Sequence, residues 1–251
     1  MELIEDITDN FDKQMITAGV FIDLKKAFDT IDHNILISKL CHYGIRGIAL
    51  KWLKDYLSHR SQYVVYNDVR STKKPVVCGI PQGSILGPML FLLYINDLAN
   101  ISKKLKFILF ADDTNVFYAD KNLVDVMDVL NHELKNLSVW FKVNKLPLNV
   151  GKTNYMIFKH KNDNIDHKIV IDGVRVERVH VTKFLGVKVD KQLNWDDQIN
   201  YVCRNVSKNM SVLYRVKHIL NNDCLKSLYC TMTLPYLNYA CEIWGNTFET
   251  R

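Results

Sequence analysis

The chain has 251 residues, of which 48% are apolar and 24% charged, and its formal net charge is +6 at pH 7. This composition is typical of a globular protein and excludes collagen-like, low-complexity and disordered chains. The length predicts one large domain, or one domain followed by a small second one. The moderate positive charge permits a nucleic acid as a partner without requiring one.

The sequence predicts neither a signal peptide nor a membrane-spanning segment. The first ten residues are acidic and lack the apolar core of a signal peptide. The longest apolar run, residues 85–95, is too short to span a bilayer. Six cysteines lack metal-binding spacing, so we expect free, buried thiols in a reducing compartment. We therefore expect an intracellular protein, with nothing to distinguish the nucleus from the cytoplasm.

The first half of the chain is predicted to mix helices and strands. Leu3, Ile7 and Phe11 stand four apart, which indicates an amphipathic helix over residues 2–15. The apolar run 18–24 predicts a buried strand whose one charged residue is Asp23. The further expected elements are a helix over 35–43 capped by Asn34, a helix over 48–57 that buries Ile48, Trp52, Leu53 and Tyr56, strands over 62–66 and 74–78, a loop over 79–84 and a helix over 85–98.

The second half begins with a predicted hairpin, because two apolar strands over 105–111 and 114–119 flank Asp112 and Asp113. A long amphipathic helix over 123–141 ends before Pro147. The remaining expected elements are strands over 155–159, 168–171 and 174–177, a single strand over 180–190, a helix over 199–220 capped by Asn194, and a last helix with an aromatic tail.

Positive charge concentrates in one segment of the chain. Residues 135–188 hold eleven Lys or Arg and four Asp or Glu, a net charge of +7, whereas residues 1–30 have a net charge of −4. Two interpretations are open: the lysines form an ordinary solvated surface, or they follow the phosphates of a polyanion.

Three carboxylates stand at strand ends. A lone buried carboxylate such as Asp23 is costly unless it is paired or bound to a metal. The adjacent Asp112 and Asp113 repel each other, so water or a cation must offset their charge. If the two strands are neighbours in a sheet, all three can converge on one ion, and oxygen ligands favour Mg²⁺ or Mn²⁺ over zinc. The simpler interpretations are a strand-end Asp23 bonded to backbone or to Lys25, and a solvated turn.

Two loops carry groups suited to a phosphorylated ligand. In the loop 79–84, Gly-Ile-Pro-Gln-Gly-Ser, glycines allow close backbone approach, Gln82 is both donor and acceptor, and a helix N-terminus follows. In the loop 149–153, Asn-Val-Gly-Lys-Thr, Lys152 is a candidate to contact a polyphosphate. The alternatives are an ordinary turn into a helix and a solvated lysine.

Five motifs follow one another in the order FIDLKKAFDTIDH, GIPQGSILGPMLFLLYINDL, FADDT, LNVGKT and KFLGVKVDKQLNW. In this order they resemble the successive motifs of the reverse transcriptases of non-LTR retrotransposons, in particular jockey-like elements. The resemblance extends from about Thr17 to Gly245. It implies an α+β fold, with a polymerase palm (an antiparallel sheet with helices packed on one face) over residues 1–190 and a partial helical thumb over residues 191–251.

The resemblance also implies roles for single residues. Asp23, Asp112 and Asp113 would be the catalytic aspartates that bind two Mg²⁺ or Mn²⁺ ions, with the backbone carbonyl of Leu24 as a further ligand. The other implied roles are Phe28 as a steric gate under the sugar, Gln82 and Gly83 as contacts to nucleotide and template, Lys152 as a catalytic general acid near the triphosphate, and Phe184, Leu185 and Gly186 as the primer grip.

The implied activity is RNA-directed DNA polymerisation, in which a DNA primer on an RNA template is extended with deoxynucleoside triphosphates. Only about twenty residues precede the first aspartate motif, so we expect the fingers and endonuclease regions of the parent element to be missing and the isolated chain to extend primers poorly. Two alternatives are a truncated remnant that binds nucleic acid without turnover, and a metal-dependent nuclease. The loop 79–84 and Phe28 favour nucleotide binding over hydrolysis.

Overall fold

The computed structural model describes residues 2–159 and 168–245. Its α-helices are α1 (Glu2–Asp12), α2 (His33–His42), α3 (Gly47–Leu57), α4 (Leu86–Ile95), α5 (Leu123–Val143), α6 (Asp196–Val216), α7 (Asn222–Met232), α8 (Leu234–Asn238) and α9 (Cys241–Trp244). Its strands are β1 (Ile16–Ile22), β2 (Ser61–Gln62), β3 (Val65–Tyr66), β4 (Val69–Arg70), β5 (Lys74–Pro75), β6 (Lys106–Phe110), β7 (Asp113–Asp120), β8 (Asn154–Phe158), β9 (Val170–Ile171), β10 (Val174–Arg175), β11 (Glu177–Arg178), β12 (Val181–Phe184) and β13 (Val187–Asp190). Short 3₁₀ helices cover Ala27–Asp29 and Asn96–Ile101.

A five-stranded sheet has the strand order β11-β8-β1-β7-β6. All seven residues of β1 are buried, as expected for a central strand whose apolar residues do not alternate with polar ones. The predicted hairpin is confirmed, because β6 and β7 pair antiparallel from Lys106–Phe117 to Phe110–Asp113. β11 runs parallel to β8, so the sheet is mixed rather than antiparallel throughout. The α+β class is confirmed.

The chain divides into two compact units. The first is drawn from Ala18–Tyr155 and Ile165–Arg178, and it carries the three aspartates and both loops singled out above. The second is drawn from Met1–Thr17, Met156–Asn164 and Val179–Arg251, and it carries the β12–β13 hairpin and helices α6 to α9. A palm that ends at residue 190 and a thumb that begins at 191 stay a prediction.

Helix α5 supplies much of the core of the first unit. Its predicted apolar stripe is buried, at Leu123, Met127, Leu130, Leu134, Leu137 and Phe141. Near its C-terminal end, the Tyr94 hydroxyl of α4 donates a 2.6 Å hydrogen bond to the Asn144 carbonyl. Burial raises the pKa of Tyr94 to about 12, so this phenol stays a neutral donor.

Four local predictions are wrong. Residues 180–190 form the β12–β13 hairpin rather than one strand, and the chain turns at Leu185 and Gly186 with φ of 44° and 88°. Asp32 caps α2 in place of Asn34, since its carboxylate accepts from two backbone N–H groups. Helix α6 follows Trp195 in a left-handed conformation and has no side-chain cap. The strands over 62–66 and 74–78 are reduced to four two-residue strands, paired β2–β5 and β3–β4.

Two burial predictions are also wrong. Ile48 and Trp52 on α3 are 89% and 56% exposed, and Trp52 stacks on Tyr56 of the same helix instead of entering the core. The free cysteines are exposed, except for the half-buried Cys41. Among the helices of residues 2–159 and 168–245, none is both long and apolar enough to cross a bilayer.

Candidate catalytic site

The segment that follows β1 is held against the loop that follows α5. Leu24 forms an antiparallel bridge with Leu148. The Lys25 N–H donates to the carbonyl of Pro147, and the Asn149 N–H donates to the carbonyl of Asp23, both at 2.9 Å. Asp23 therefore stands at the end of a central strand on a backbone tied to residues more than a hundred positions later.

The Asp23 carboxylate is half-buried and has a specific partner. Asn149 Nδ2 donates a 2.7 Å hydrogen bond to Asp23 Oδ2. The Asp23 N–H donates to Thr153 Oγ1 at 3.2 Å. The suggested partner Lys25 is exposed, whereas Asn149 approaches from a distant part of the chain, so residue spacing alone could not reveal this contact.

The paired aspartates lie at the β6–β7 turn. Ala111 adopts a φ of 51°, which reverses the chain, and Asp112 and Asp113 are exposed. Asp113 is the first residue of β7 and pairs with Phe110. β7 is a neighbour of β1, and the ring centroids of Phe21 and Phe117 lie 5.8 Å apart in an edge-on contact. The adjacency on which the three-aspartate hypothesis depends is therefore present.

The donor atoms of this site suit a hard divalent cation. All three side chains are carboxylates, the ligand type that Mg²⁺ and Mn²⁺ prefer. In the parts of the chain that the structure describes, no three His, Cys, Asp or Glu side chains form an assembled metal cluster. The fit therefore rests on the type of donor and on its place at the ends of two adjacent strands, and the three-aspartate ion site stays a prediction.

The loop 79–84 docks on the segment that follows Asp23. The Gly79 N–H donates to the Ile31 carbonyl at 2.8 Å, and the Ile80 N–H donates to the Phe28 carbonyl at 2.9 Å. Gly79 has a φ of +85°, and a Cβ there would lie 2.8 Å from the Asp29 carbonyl oxygen, so only glycine fits. The structure thus brings the first two predicted nucleotide-contact segments together.

Gln82 is oriented by a side chain that sequence reasoning missed. Its Nε2 donates a 2.9 Å hydrogen bond to Asp29 Oδ1. Both residues line an open cavity of about 600 Å³ together with Lys26, Arg60 and Gln62. The exposed Gly83, with a φ of +78°, continues the same loop.

Phe28 packs against the core on one side. Its ring stacks on the buried ring of Phe91, with centroids 4.8 Å apart and planes 23° apart, and it remains half-buried. The exposed Lys152 lies in the loop that binds Asp23, and its N–H donates to the Asn149 carbonyl at 3.0 Å. The roles of Phe28 and Lys152 in nucleotide binding stay predictions.

The predicted primer-grip residues lie in the second unit, at the β12–β13 turn. Phe184 pairs with the buried Val187, which places both on the covered face of the hairpin. The Tyr239 hydroxyl donates to the Leu185 carbonyl at 2.6 Å. A Cβ on Gly186 would lie 3.1 Å from the Tyr239 ring, so the turn is held closely against that ring.

Comparison with known proteins identifies the family. The sequence model of one protein family, described as reverse transcriptase (RNA-dependent DNA polymerase), matches residues 1–189. The chain belongs to this reverse transcriptase family. It is 27% identical over 252 residues to the probable RNA-directed DNA polymerase from transposon X-element of Drosophila melanogaster, covering 97% of the chain and 27% of that protein. It is 24% identical over 237 residues to the RNA-directed DNA polymerase from mobile element jockey of the same species, covering 90% and 26%.

The resemblance to reverse transcriptases of jockey-like non-LTR retrotransposons is thereby confirmed. The chain spans about a quarter of the length of these curated relatives. Solved structures agree on the fold: apo telomerase from Candida tropicalis truncated from its C-terminal domain superposes with a TM-score of 0.53, at 13% identity, over 75% of this chain and 38% of that one. Telomerase from Candida tropicalis in complex with a TWJ fragment of telomeric RNA gives 0.51, at 9% identity, over 96% and 42%.

Within this reverse transcriptase fold, the motifs located the candidate residues but did not show which side chains hold them. Asn149, Thr153, Asp29 and Tyr239 each make a hydrogen bond to a motif residue or its backbone. The only sequence signal for Asn149 and Thr153 was their place in the loop around Lys152. The only signal for Asp29 was its place in the motif FIDLKKAFDTIDH, and the only signal for Tyr239 was its place in the aromatic tail.

Proposed function

We propose that this chain is the polymerase core of an RNA-directed DNA polymerase from a non-LTR retrotransposon, with residues 1–190 as palm and 191–251 as thumb. One observation carries the proposal. In a chain of the reverse transcriptase family, Asp23 directly follows β1, and Asp112 and Asp113 stand at the start of β7, the strand next to β1. The reaction is attack of the primer 3′-hydroxyl on the α-phosphate of a deoxynucleoside triphosphate, with release of pyrophosphate.

The three aspartates are the proposed metal ligands of the site. Asp23, Asp112 and Asp113, with the Leu24 carbonyl, are the groups that would hold two Mg²⁺ or Mn²⁺ ions. Bound there, the ions would activate the attacking oxygen and stabilise the leaving one. The hydrogen bond from Asn149 to Asp23 supports this assignment, because it keeps one carboxylate in a defined orientation at the strand end.

The nucleotide is proposed to lie beside the docked loop 79–84. Phe28 would underlie the sugar, and Gln82, held by Asp29, would contact the nucleotide and template together with Gly83. Lys26 and Arg60 line the same cavity, and their positive charge suits a phosphorylated ligand. Lys152 would contact the triphosphate and donate a proton to the leaving pyrophosphate.

An RNA template with a DNA primer is the proposed macromolecular partner. Lys183 and Lys188 lie directly opposite each other on β12 and β13. Two like charges in this position destabilise a hairpin, and a phosphate backbone would offset their repulsion. Phe184, Leu185 and Gly186 would then grip the primer next to these two lysines.

A primer-extension assay tests the proposal. The 251-residue chain is given an RNA template, a labelled DNA primer, deoxynucleoside triphosphates and Mg²⁺. We expect weak extension that Asp112→Asn abolishes and that Asp120→Asn, at the other end of β7, leaves intact. Binding without extension would instead support the non-catalytic remnant, and metal-dependent shortening of either strand would support a nuclease.

A further inference from the structure

We infer that Asn149 is a positioning residue that orients the Asp23 carboxylate for a divalent cation. The inference rests on the proposed function, because it assumes that Asp23 binds the ion. It adds a residue to which neither the motifs nor the comparisons give a role. In the motif LNVGKT, which contains Asn149, the resemblance implies a catalytic role for Lys152 alone.

The contact between the two residues is fixed at both side chain and backbone. Asn149 Nδ2 donates to Asp23 Oδ2 at 2.7 Å, and the Asn149 N–H donates to the Asp23 carbonyl at 2.9 Å. The bridge between Leu24 and Leu148 extends this pairing by one residue. Because the backbone of Asn149 is paired with that of Asp23, its side-chain amide is held within hydrogen-bond reach of the Asp23 carboxylate.

Thr153 closes the arrangement into a ring. It is buried, with 2% of its surface exposed, and its hydroxyl accepts from the Asp23 N–H while donating to the Asn149 carbonyl at 3.0 Å. The Thr153 N–H also donates to that carbonyl, at 2.9 Å. Asp23, Asn149 and Thr153 therefore constrain one another, which limits the positions open to the carboxylate.

An amide is the suitable partner for a carboxylate that binds a cation. It donates a hydrogen bond to one oxygen and brings no charge, so it orients the ligand without competing with the ion. A lysine in this place would neutralise the carboxylate and repel the ion. The exposed Lys25, two residues from Asp23, does not take this role.

Mn²⁺ titration of the full chain, followed by the electron paramagnetic resonance signal of free Mn²⁺, tests the inference. Loss of a residue that orients a metal ligand typically weakens metal affinity by about 10–100-fold. We expect a loss of about tenfold or more in Asn149→Ala and in the isosteric Asn149→Leu. Asn136→Ala and Asn136→Leu, at an exposed position of α5, are the matched controls and should bind as the wild type does.

A second readout separates positioning from a general structural role. In primer extension, raised Mn²⁺ should restore the rate of the Asn149 variants but not that of Asp23→Asn, while the KM for the nucleotide stays unchanged. Circular dichroism checks the fold of each variant, and if alanine disturbs it, the isosteric leucine decides.

The outcomes distinguish the inference from the function on which it rests. If Asp23→Asn abolishes Mn²⁺ binding while both Asn149 variants keep wild-type affinity, the positioning role of Asn149 is wrong and the aspartate site stands. If Asp23→Asn leaves Mn²⁺ affinity unchanged, both the positioning role and the proposed metal site are overturned.

Discussion

The hydroxyl of Tyr239 donates a 2.6 Å hydrogen bond to the backbone carbonyl of Leu185, 54 residues earlier in the chain. Its ring also lies against Gly186, whose φ of +88° is strained for any residue with a side chain. Trp244 Nε1 in turn donates to the Tyr239 carbonyl at 3.0 Å. The aromatic segment near the end of the described chain thus holds the turn assigned to the primer grip.

Tyr239→Phe should loosen that turn while leaving the ring in place. We expect the free energy of unfolding to fall by about 0.5–1 kcal/mol, the usual net value of one hydrogen bond, and primer-template affinity to fall as well. Urea unfolding and fluorescence anisotropy of a labelled primer-template measure the two effects. Tyr229→Phe on α7 is the control, and an equal loss of affinity in both variants would contradict a specific role for Tyr239.

Phe28→Val tests the steric gate. A shorter side chain leaves room for a 2′-hydroxyl, so ribonucleotide use should rise by about tenfold relative to deoxynucleotides, which corresponds to about 1.4 kcal/mol. Loss of the stack on Phe91 should also lower the free energy of unfolding by about 1 kcal/mol, in addition to the loss caused by burying less apolar surface. Relative kcat/KM for the two nucleotide types is the measurement. If both efficiencies fall together at a constant ratio, Phe28 serves only packing.

Asp32 links the start of α2 to Lys145, and the free energy of unfolding should therefore decrease at low pH. Lys145 Nζ lies 2.6 Å from Asp32 Oδ2, and this hydrogen bond, followed by one from the Ile35 N–H, holds the pKa of the Asp32 carboxyl below its ordinary value. A lowered pKa stabilises the folded chain above the unfolded value of about 3.9, and this stability is lost as the pH falls through the folded pKa.

Two variants separate the cap from the ion pair. Asp32→Ala removes both and should cost about 1 kcal/mol at pH 7. Asp32→Asn keeps an equally good cap, so it should cost less and should weaken the acid dependence. Urea unfolding at pH 7 and at low pH gives the comparison, and an unchanged pH dependence in Asp32→Asn would show that other carboxylates account for it.

Replacing either of the opposed lysines of the β12–β13 hairpin should affect thermal stability and primer-template binding in opposite directions. Lys183→Gln and Lys188→Gln should keep or raise the thermal stability of the free chain, since each removes a like-charge pair. Each of these variants, and Lys152→Gln, should weaken primer-template binding and reduce the slope of log Kd against log salt by about 1. The effect should be smaller for Lys188, because its Nζ lies 5.3 Å from the Tyr201 ring centroid.

Anisotropy titrations across a range of salt concentrations measure these slopes. Lys51→Gln, at an exposed position of α3 outside residues 135–188, is the control. Salt slopes that are equal in the control and in all three variants would favour the solvated-surface interpretation of the basic segment.

The sequence by itself determined the features that depend on neighbours along the chain. The stripe of α5, the apolar run of β1 and the β6–β7 hairpin all follow from local periodicity, and the predictions for them are confirmed. Motif order was also enough to indicate the family. Local patterns were least reliable at helix starts, where several neighbouring residues could each cap the helix. They also failed on α3, where burial of the apolar face depends on whether another element packs against it.

Only the tertiary structure decided which distant segments meet. The placement of β1 between β8 and β7, the parallel pairing of β11 with β8, and the hydrogen bonds from Asn149 to Asp23 and from Tyr239 to Leu185 join residues far apart in sequence. No periodicity records such contacts, because each depends on how several elements pack at once. The sequence thus located the candidate carboxylates, while the fold determined which residues hold Asp23 in place.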